Sequence, residues 1–272
     1  MLEKLISKEF QIEFHSHAAA ILGVDFPDAI EQLEDVLLGA AIPVEEIIAG
    51  GGGEAKGTQR LRRGLAAKGW ATKTFTIVKT INGIEREAVS HKMDHVREFD
   101  GTNGRSTAIA VEIEWNNKDP FFDRDLENFK RLHADGAISV GIVITRGRSL
   151  QDNMRALVRH FCDDRQVQTF ADLQHWGYDP TTKQQSAIKK RMHRARNPLT
   201  FREAFVDKFV SDKFGEATTH WRKLEDRVRR GVGNPCPLVL IGLPDTIVTF
   251  GEDPTVVHKL IEEAQADFFS AD

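Results

Sequence analysis

Glu112 and Glu114 are the first residues whose spacing suggests chemistry, since they stand two positions apart in the run AIAVEIEW. In a strand, alternate side chains point to the same face, so these two carboxylates would stand side by side. The apolar residues that alternate with them would point to the opposite face. Ala108 and Ala110 precede the glutamates on their own face and are small enough to leave space beside them. The alternation therefore predicts a pair of carboxylates with room for a ligand.

A third acid is expected from the preceding strand. Asp94 lies in SHKMDHV, and a hairpin through GTNGRS can bring it beside Glu112. Asp100 is a rival for this place, although DGTNG is typical of a turn. Carboxylates at close range repel one another and take up protons unless a cation neutralises them. An oxygen-only set without Cys or an obligatory His favours Mg²⁺, with Mn²⁺ as the second choice, over zinc.

The same residues have a plainer interpretation, a solvated strand face on which each glutamate pairs with Lys or Arg. Exposed Glu-x-Glu pairs in strands are common, so the spacing alone does not decide between the two. His95 follows Asp94 directly and is a candidate accessory residue. A lone strand histidine is, however, more often a packed or a surface residue.

The elements that would position these acids follow from hydrophobic periodicity and turn residues. Thr58 is a candidate N-cap for a basic helix with a weak apolar stripe. Asn82-Gly83 favours a hairpin turn. Three strands are predicted after the basic helix, at Phe75–Ile81, Glu87–Arg97 and Thr107–Trp115. A helix follows from near Asp123 to before Gly136, and then a strand at 138–145. This αβββαβ order predicts a mixed α/β sheet flanked by helices.

Further elements are predicted around this core. They are a strand near 9–15, a helix at Pro27–Leu38, a turn of helix after Pro43, a helix at Gln151–Phe161, a short strand near Val167, a helix containing Trp221, Leu224 and Val228, strands in PLVLIGLP and TIVTF, and a helix at Pro254–Phe269. The 272 residues are expected to form one continuous domain, with the acids in a core at about 58–145 and an elaboration at about 150–250.

Composition places the chain among ordinary folded proteins. Hydrophobic residues make up 40% and charged residues 29%, which excludes the disordered, collagen-like and disulfide-scaffold classes. No run approaches the roughly 18 apolar residues of a membrane span, and the first residues lack a signal-peptide pattern. We therefore expect a cytoplasmic protein with no membrane partner. Cys162 and Cys236 have neither disulfide-framework nor zinc-site spacing and are expected to be buried thiols.

The run VEIEWNNKDPFFDRDL, with SHKMDHV upstream and GAISVGIVITRG downstream, resembles the BglII-type restriction endonucleases, a branch of the PD-(D/E)XK nucleases close in site design to BamHI. The likeness covers roughly residues 47–245 and includes GGG before a basic helix ending in GW, and a late ATTHWRKLEDRVRRGVGNPCP. The resemblance implies a PD-(D/E)XK fold and a type II enzyme of a prokaryotic restriction-modification system. It further implies Mg²⁺-dependent cleavage of double-stranded DNA by a homodimer.

Site roles also follow from the resemblance, position by position. Asp94 and Glu112 correspond to metal ligands and Glu114 to the third catalytic residue. The gap between Asp94 and Glu112 is longer than a minimal hairpin, which keeps Asp100 as a rival. The lysine found in most relatives is replaced by Glu114, so Lys118 or Arg124 is expected to supply positive charge nearby.

Basic segments are the expected source of DNA affinity, although the net charge is -4. The polar stretch 179–203 contains one acid, Asp179, up to Arg202, and such charge repels itself unless a polyanion meets it. The plainer interpretations are a solvated loop there, a linker at Gly50–Gly53, and an N-cap at the threonines of ATTHW. The candidate DNA-binding residues are Lys56, Arg60, Lys189, Lys190, Arg191, Arg194, Arg196, Thr218, Thr219 and Arg229.

Two other functions fit the same fold. One is a DNA-binding protein that has lost catalysis, which would have no need to keep all three acids. The other is a structure-specific repair nuclease, which would not cut a plasmid into discrete fragments.

Overall fold

The computed structural model describes residues 1–49, 54–100 and 106–251, and only the backbone of Asp100 and Ser106. Within these ranges the chain divides into two compact units. The first comprises Met1–Ala40, Ala55–Asp152 and Glu216–Thr246, and the second comprises Ala41–Glu54, Asn153–Gly215 and the chain from Ile247 onward. The single continuous domain expected from the sequence stays a prediction.

The secondary structure is mixed. The strands are β1 (Gln11–His15), β2 (Ile42–Pro43), β3 (Ala71–Ile81), β4 (Ile84–Asp100), β5 (Ser106–Glu114), β6 (Val140–Arg146), β7 (Leu238–Leu243) and β8 (Val248–Thr249). The helices are α1 (Glu3–Ile6), α2 (Ala18–Asp25), α3 (Pro27–Leu38), α4 (Val44–Ile48), α5 (Lys56–Ala67), α6 (Phe121–Ala134), α7 (Arg148–Asp164), α8 (Phe170–His175), α9 (Thr182–Met192), α10 (Phe201–Lys213) and α11 (Trp221–Arg229).

A six-stranded sheet in the order β1-β7-β6-β5-β4-β3 organises the first unit. Strands β5, β6 and β7 run parallel, while β3, β4 and β5 form an antiparallel meander and β1 is antiparallel to β7. The elements α5, β3, β4, β5, α6 and β6 follow one another along the chain. The predicted αβββαβ order is therefore confirmed, and β7 is one of the additional strands predicted after it.

Helix α6 packs closely on the sheet face that carries the glutamates. Ala108 and Ala110 share a buried cluster with Phe122, Leu126 and Phe129 of this helix. A Cβ atom on Gly141 of β6 would lie 2.5 Å from the Phe129 ring, so the helix approaches as near as a glycine permits. The expectation that the alanines leave open space is wrong, because α6 fills it.

In the first half of the chain, one predicted helix start is corrected and one helix is present that was not predicted. Helix α5 begins at Lys56 with Ala55 as N-cap, and the Ala55 carbonyl accepts the first helical hydrogen bond from the Gln59 amide. Thr58 is therefore an internal helical residue, buried and not a cap. Helix α2 was not predicted from the sequence, since AAAILGVD has no polar face to reveal a helical period.

The second unit corrects two predicted strands. Val167 belongs to no strand, because its amide bonds to the Cys162 carbonyl over 2.9 Å in the turn that ends α7. In TIVTF the strand shrinks to Val248–Thr249, which follows a 3-10 turn and pairs with β2. A short apolar run cannot be assigned from periodicity alone, and both errors have this cause.

The polar stretch 179–203 is largely helical. Thr181 and Gln184 form a capping box at the start of α9, and Thr200 and Glu203 form another at the start of α10. Both signatures stand in the sequence and would have revealed the helices. The solvated-loop interpretation is therefore wrong for the residues of α9.

Some predicted features lie outside the described residues. They are Gly50–Gly53, most of the GTNGRS turn, and the helix at Pro254–Phe269. Within the described ranges, no helix combines the length and the apolar character that crossing a membrane requires.

Candidate active site

Strands β4 and β5 bring Asp94 and Glu112 together where their pairing ends. Their register runs from Asp100 opposite Ser106 to His95 opposite Val111, which leaves Asp94 level with Glu112. The Asp94 amide donates a hydrogen bond to Glu112 Oε1 over 3.1 Å. Directly opposed residues in antiparallel strands point to the same face, so the two acids share one face of the sheet.

Glu112 and Glu114 are both buried, with exposures of 4% and 3%, whereas Asp94 is exposed. Burial raises the pKa of Glu112 well above its ordinary value, and the charges of Asp125 and Asp94 raise it further. Burial also raises the pKa of Glu114 to about 8, with Asp125 as the next cause. The interpretation as a solvated strand face is therefore wrong for both glutamates.

Asp125 is a further acid of this cluster that was not predicted from the sequence. It is 1% exposed and lies on α6, and burial raises the pKa of its carboxyl. Its carboxyl lies within hydrogen-bonding reach of the Glu114 carboxyl. Asp125 Oδ2 accepts no hydrogen bond from any described residue. Two buried carboxyls in contact require a proton or a cation between them.

Positive charge reaches the cluster from Arg124. Its Nη2 atom lies 2.7 Å from Asp125 Oδ1 and 3.6 Å from Glu114 Oε1. Lys118, the other candidate for this role, is exposed and forms a backbone bridge with Thr218. Among the described residues, Lys118 has no salt bridge to the acids. The geometry therefore favours Arg124.

Two polar contacts hold Glu114 in place. Asn117 Nδ2 donates to Glu114 Oε2 over 2.6 Å, and Thr145 Oγ1 of β6 donates to the Glu114 carbonyl over 2.7 Å. The loop that contains Asn117 is itself tied down, because the Thr219 amide donates to the Asn117 carbonyl over 2.8 Å. Glu114 is therefore anchored through both its side chain and its backbone.

The remaining candidates near the acids occupy different environments. His95 is 3% exposed, burial lowers its pKa, and its Nδ1 lies 3.3 Å from the Val111 carbonyl. This fits the interpretation of a packed strand histidine. The Asp100 side chain lies outside the described part of the chain, so its rivalry with Asp94 stays open.

The acids have the chemistry of a divalent-cation site. In the described ranges, no three His, Cys, Asp or Glu side chains converge closely enough to enclose a metal ion. Mg²⁺ does not need such a cage, since it is commonly held by one or two carboxylates together with water and substrate phosphate. Asp94 and Glu112 could be that pair. Asp125 Oδ2 is a further buried oxygen without a hydrogen-bond donor among the described residues, and it belongs to the same cluster as the two glutamates.

The predicted DNA-binding residues are distributed over both units. In the first unit, Lys56 and Arg60 lie half-buried on α5, and exposed Arg229 pairs with Glu225 over 2.7 Å. Thr219 is fully buried and its carbonyl accepts hydrogen bonds from Arg146. Thr218, also in the first unit, is partly buried, and its hydroxyl accepts from the same arginine over 2.8 Å.

In the second unit, the basic residues of α9 and of the segment after it differ in exposure. Lys190, Arg194 and Arg196 are exposed. Lys189 is exposed and lies over the Phe170 ring at 5.8 Å. Arg191 is half-buried, and its Nε donates to Asp207 Oδ2 of α10 over 2.8 Å. Arg191 therefore already has an acidic partner within the protein.

Comparison with known proteins gives a family match. The family model described as Restriction endonuclease BglII/BglIII matches residues 10–243, a span that contains β1 to β7 and every acid of the cluster. No curated protein matches the chain.

Proposed function

The chain belongs to the BglII/BglIII restriction endonuclease family, and from this we propose that it is a type II enzyme that cuts double-stranded DNA at a specific site with Mg²⁺. Its mixed sheet with flanking helices is the PD-(D/E)XK fold that the family implies. The observation that best supports the proposed site is the hydrogen bond from the Asp94 amide to Glu112, which sets two acids together beside buried Glu114.

The reaction determines what these residues must do. Hydrolysis joins a water oxygen to phosphorus and breaks the bond to the 3′-oxygen, leaving a 5′-phosphate and a 3′-hydroxyl. A divalent cation, when bound, neutralises phosphate charge and makes water more acidic. Asp94 and Glu112 would hold this cation. Glu114, held by Asn117, would orient the attacking water and accept its proton.

Digestion of a sequenced plasmid with Mg²⁺ tests the proposed function. We expect discrete fragments, and sequencing of their ends should show that every cut lies at the same recognition sequence. Smears or cleavage only at branched junctions would instead indicate a structure-specific nuclease. No cleavage in either Mg²⁺ or Mn²⁺, with site-specific binding retained, would indicate a DNA-binding protein without catalysis. Addition of EDTA to the active digest provides the control for metal dependence.

The first metal ligand can be assigned by comparing two isosteric variants. Asp94→Asn should stop cleavage and leave specific DNA binding in Ca²⁺ intact, because it removes one negative charge without changing shape. Asp100→Asn is the matched control and should cut normally. The reverse result would move the ligand to Asp100.

We further propose that the enzyme works as a homodimer on a palindromic site in the prokaryotic cytoplasm, as part of a restriction-modification system. A double-strand break needs two cleavage events, and the described residues of one chain form one acid cluster of this kind. Sedimentation should give the mass of a protein dimer for the protein alone, and the mass of a dimer plus one duplex when cognate DNA is present. A monomer in both samples would overturn this assignment.

A further inference from the structure

Arg124 is held in one place by three groups around the acid cluster. Its Nε and Nη2 atoms lie 2.8 Å and 2.7 Å from Asp125 Oδ1. Its Nη2 atom is also 3.6 Å from Glu114 Oε1. The guanidinium carbon lies 4.5 Å from the centre of the Phe121 ring. A long side chain restrained along one edge and on one face of its guanidinium loses little further freedom when it binds an anion.

The third guanidinium nitrogen of Arg124 remains available. Nη1 bonds to none of the described residues, and the side chain as a whole is 55% exposed. Arginine keeps its charge at any working pH and presents its donors in a planar fork that suits phosphate oxygens. The site therefore has a fixed positive charge with a free donor beside Glu114.

Asp125 is the group that gives Arg124 this direction. Successive side chains on a helix point about 100° apart, so neighbours do not normally face each other. Here the Arg124 side chain turns back toward the buried Asp125 carboxylate. Asp125 is 1% exposed, and its Oδ1 atom forms a salt bridge with Arg124. A buried acid of this kind is costly unless it is paired, which indicates a specific role.

We propose that Arg124 is a catalytic residue that stabilises the charge developing on the phosphoryl oxygens, and that Asp125 is its positioning residue. This inference rests on the proposed function. As the water oxygen bonds to phosphorus, its proton passes to Glu114, and the departing 3′-oxygen takes a proton from solvent. The negative charge that accumulates on the non-bridging oxygens then meets Arg124 Nη1. This arginine supplies the charge for which most relatives use a lysine at the position of Glu114.

Single-turnover cleavage of a plasmid in Mg²⁺, with DNA binding measured separately in Ca²⁺, tests the inference. Arg124→Met should slow cleavage on the order of 100-fold, the effect of removing one donor to a developing oxyanion, while the binding constant changes less than about threefold. Arg124→Lys should cleave at a rate between those of wild type and Arg124→Met, because it keeps the charge but loses the planar set of donors. Arg131→Met is the matched control, since Arg131 lies on α6 with 52% exposure and pairs with Glu127.

The positioning role of Asp125 has its own readout. Asp125→Asn should slow cleavage. The double variant with Arg124→Met should be no slower than Arg124→Met alone, because both substitutions remove the same oriented positive charge. Independent, multiplying effects would show that Asp125 acts by another route and would overturn its assignment. Melting temperatures of all variants identify any that fail to fold.

The outcomes separate this inference from the proposed function. If wild type, Arg131→Met and Arg124→Met all cut at the same rate, Arg124 is not catalytic and the proposed nuclease stands. If wild type cuts no DNA with either cation, the proposed function fails and this inference fails with it. Slow cleavage by Arg124→Met alone supports both.

Discussion

Glu112 and Glu114 are strand residues with exposures of 4% and 3%, whereas most acids in the described part of the chain are exposed. Their environment favours the neutral form, because burial and neighbouring acids raise the pKa of each. A bound cation reverses this preference by stabilising the ionised form. Binding of the proposed cation would therefore be linked to proton release at this site.

Removal of one charge at Glu112 should abolish cleavage and leave the fold intact. Glu112→Gln keeps the shape of the side chain and its acceptor for the Asp94 amide, but it cannot provide a carboxylate to a cation. We expect no detectable cutting in Mg²⁺ and near-normal specific binding in Ca²⁺. Glu127→Gln, a change at a half-buried residue of α6 that pairs with Arg131, is the control. Cutting by Glu112→Gln at the wild-type rate would remove this residue from the site.

The raised pKa of Glu114 also predicts how stability depends on pH. In EDTA, the folded state holds a proton between the ordinary pKa of 4.5 and the raised value of about 8, whereas the unfolded state has lost it. The free energy of unfolding should therefore be greatest at the acid end of this window and should fall as pH rises through it. Mg²⁺ should raise the melting temperature more at pH 8 than at pH 5.

Variants identify the group responsible for this pH dependence. Glu114→Gln cannot titrate, so the fall in melting temperature between pH 5 and pH 8 should be smaller than in wild type. Glu127→Gln should leave it unchanged or make it steeper, because salt bridges to Arg131 and Lys130 lower the pKa of Glu127. An equal fall in wild type and Glu114→Gln would show that Glu114 is not the titrating residue.

At the scale of elements, the sequence predicted strand β5 and helix α6, but not which side chains of the helix lie beside the acids of the strand. Strict alternation around Glu112 and Glu114 was enough to assign both to one face. Arg124 was a candidate only from its nearness in sequence, and Asp125 was not found. Tertiary packing determines which residues of α6 lie against β5, and the hydrophobic periodicity of either element alone does not reveal it. A signal existed, since Asp125 interrupts the apolar stripe that contains Phe122 and Leu126.

The approach of α6 to the sheet depends on Gly141. An alanine there would place its Cβ 2.5 Å from the Phe129 ring, so the helix carrying Arg124 and Asp125 would have to move. We expect Gly141→Ala to lower the free energy of unfolding by about 1–3 kcal/mol and to slow cleavage as well. Urea unfolding and single-turnover cleavage measure the two effects.

Gly39→Ala provides the control for this glycine. Its new Cβ would have ordinary contacts, at 3.6 Å and 3.7 Å, so a change under about 0.5 kcal/mol is expected. Equal stability of Gly141→Ala and Gly39→Ala would mean that Phe129 has room to adjust. The proposed dependence of the active site on this contact would then be wrong.

At the scale of the whole molecule, net charge is a poor guide to the surface that meets DNA. The chain carries a charge of -4, yet α9 and the segment after it expose several cations. Part of the basic charge is balanced by acids elsewhere in the second unit, since Arg191 pairs with Asp207 and Arg202 with Asp163 over 2.9 Å. Self-repulsion within the basic stretch is therefore weaker than its sequence suggests, because acids from outside the stretch pair with two of its arginines.

This balance determines which residues should be changed to test DNA contact. Lys189 and Lys190 are exposed, and neither has a salt bridge to a described residue. Arg191→Ala would also break the link between α9 and α10, so it is left unchanged. If both lysines meet phosphates, each releases counterions on binding, and the slope of log affinity against log salt should become shallower by about 1.8 in the double alanine variant.

Matched and mismatched duplexes should respond to this double variant by similar factors, because phosphate contacts carry no sequence information. Lys4→Ala with Lys8→Ala is the control, since Lys4 lies 3.8 Å from Glu34 and both lysines have a glutamate next to them in the sequence, Glu3 and Glu9. Titrations in Ca²⁺ measure binding without cutting. An unchanged slope in the Lys189 and Lys190 variant would mean that α9 does not face DNA. The phosphate contacts would then have to be sought at the exposed Arg194 and Arg196 after α9, or in the first unit at Lys56 and Arg60 of α5 and at Arg229.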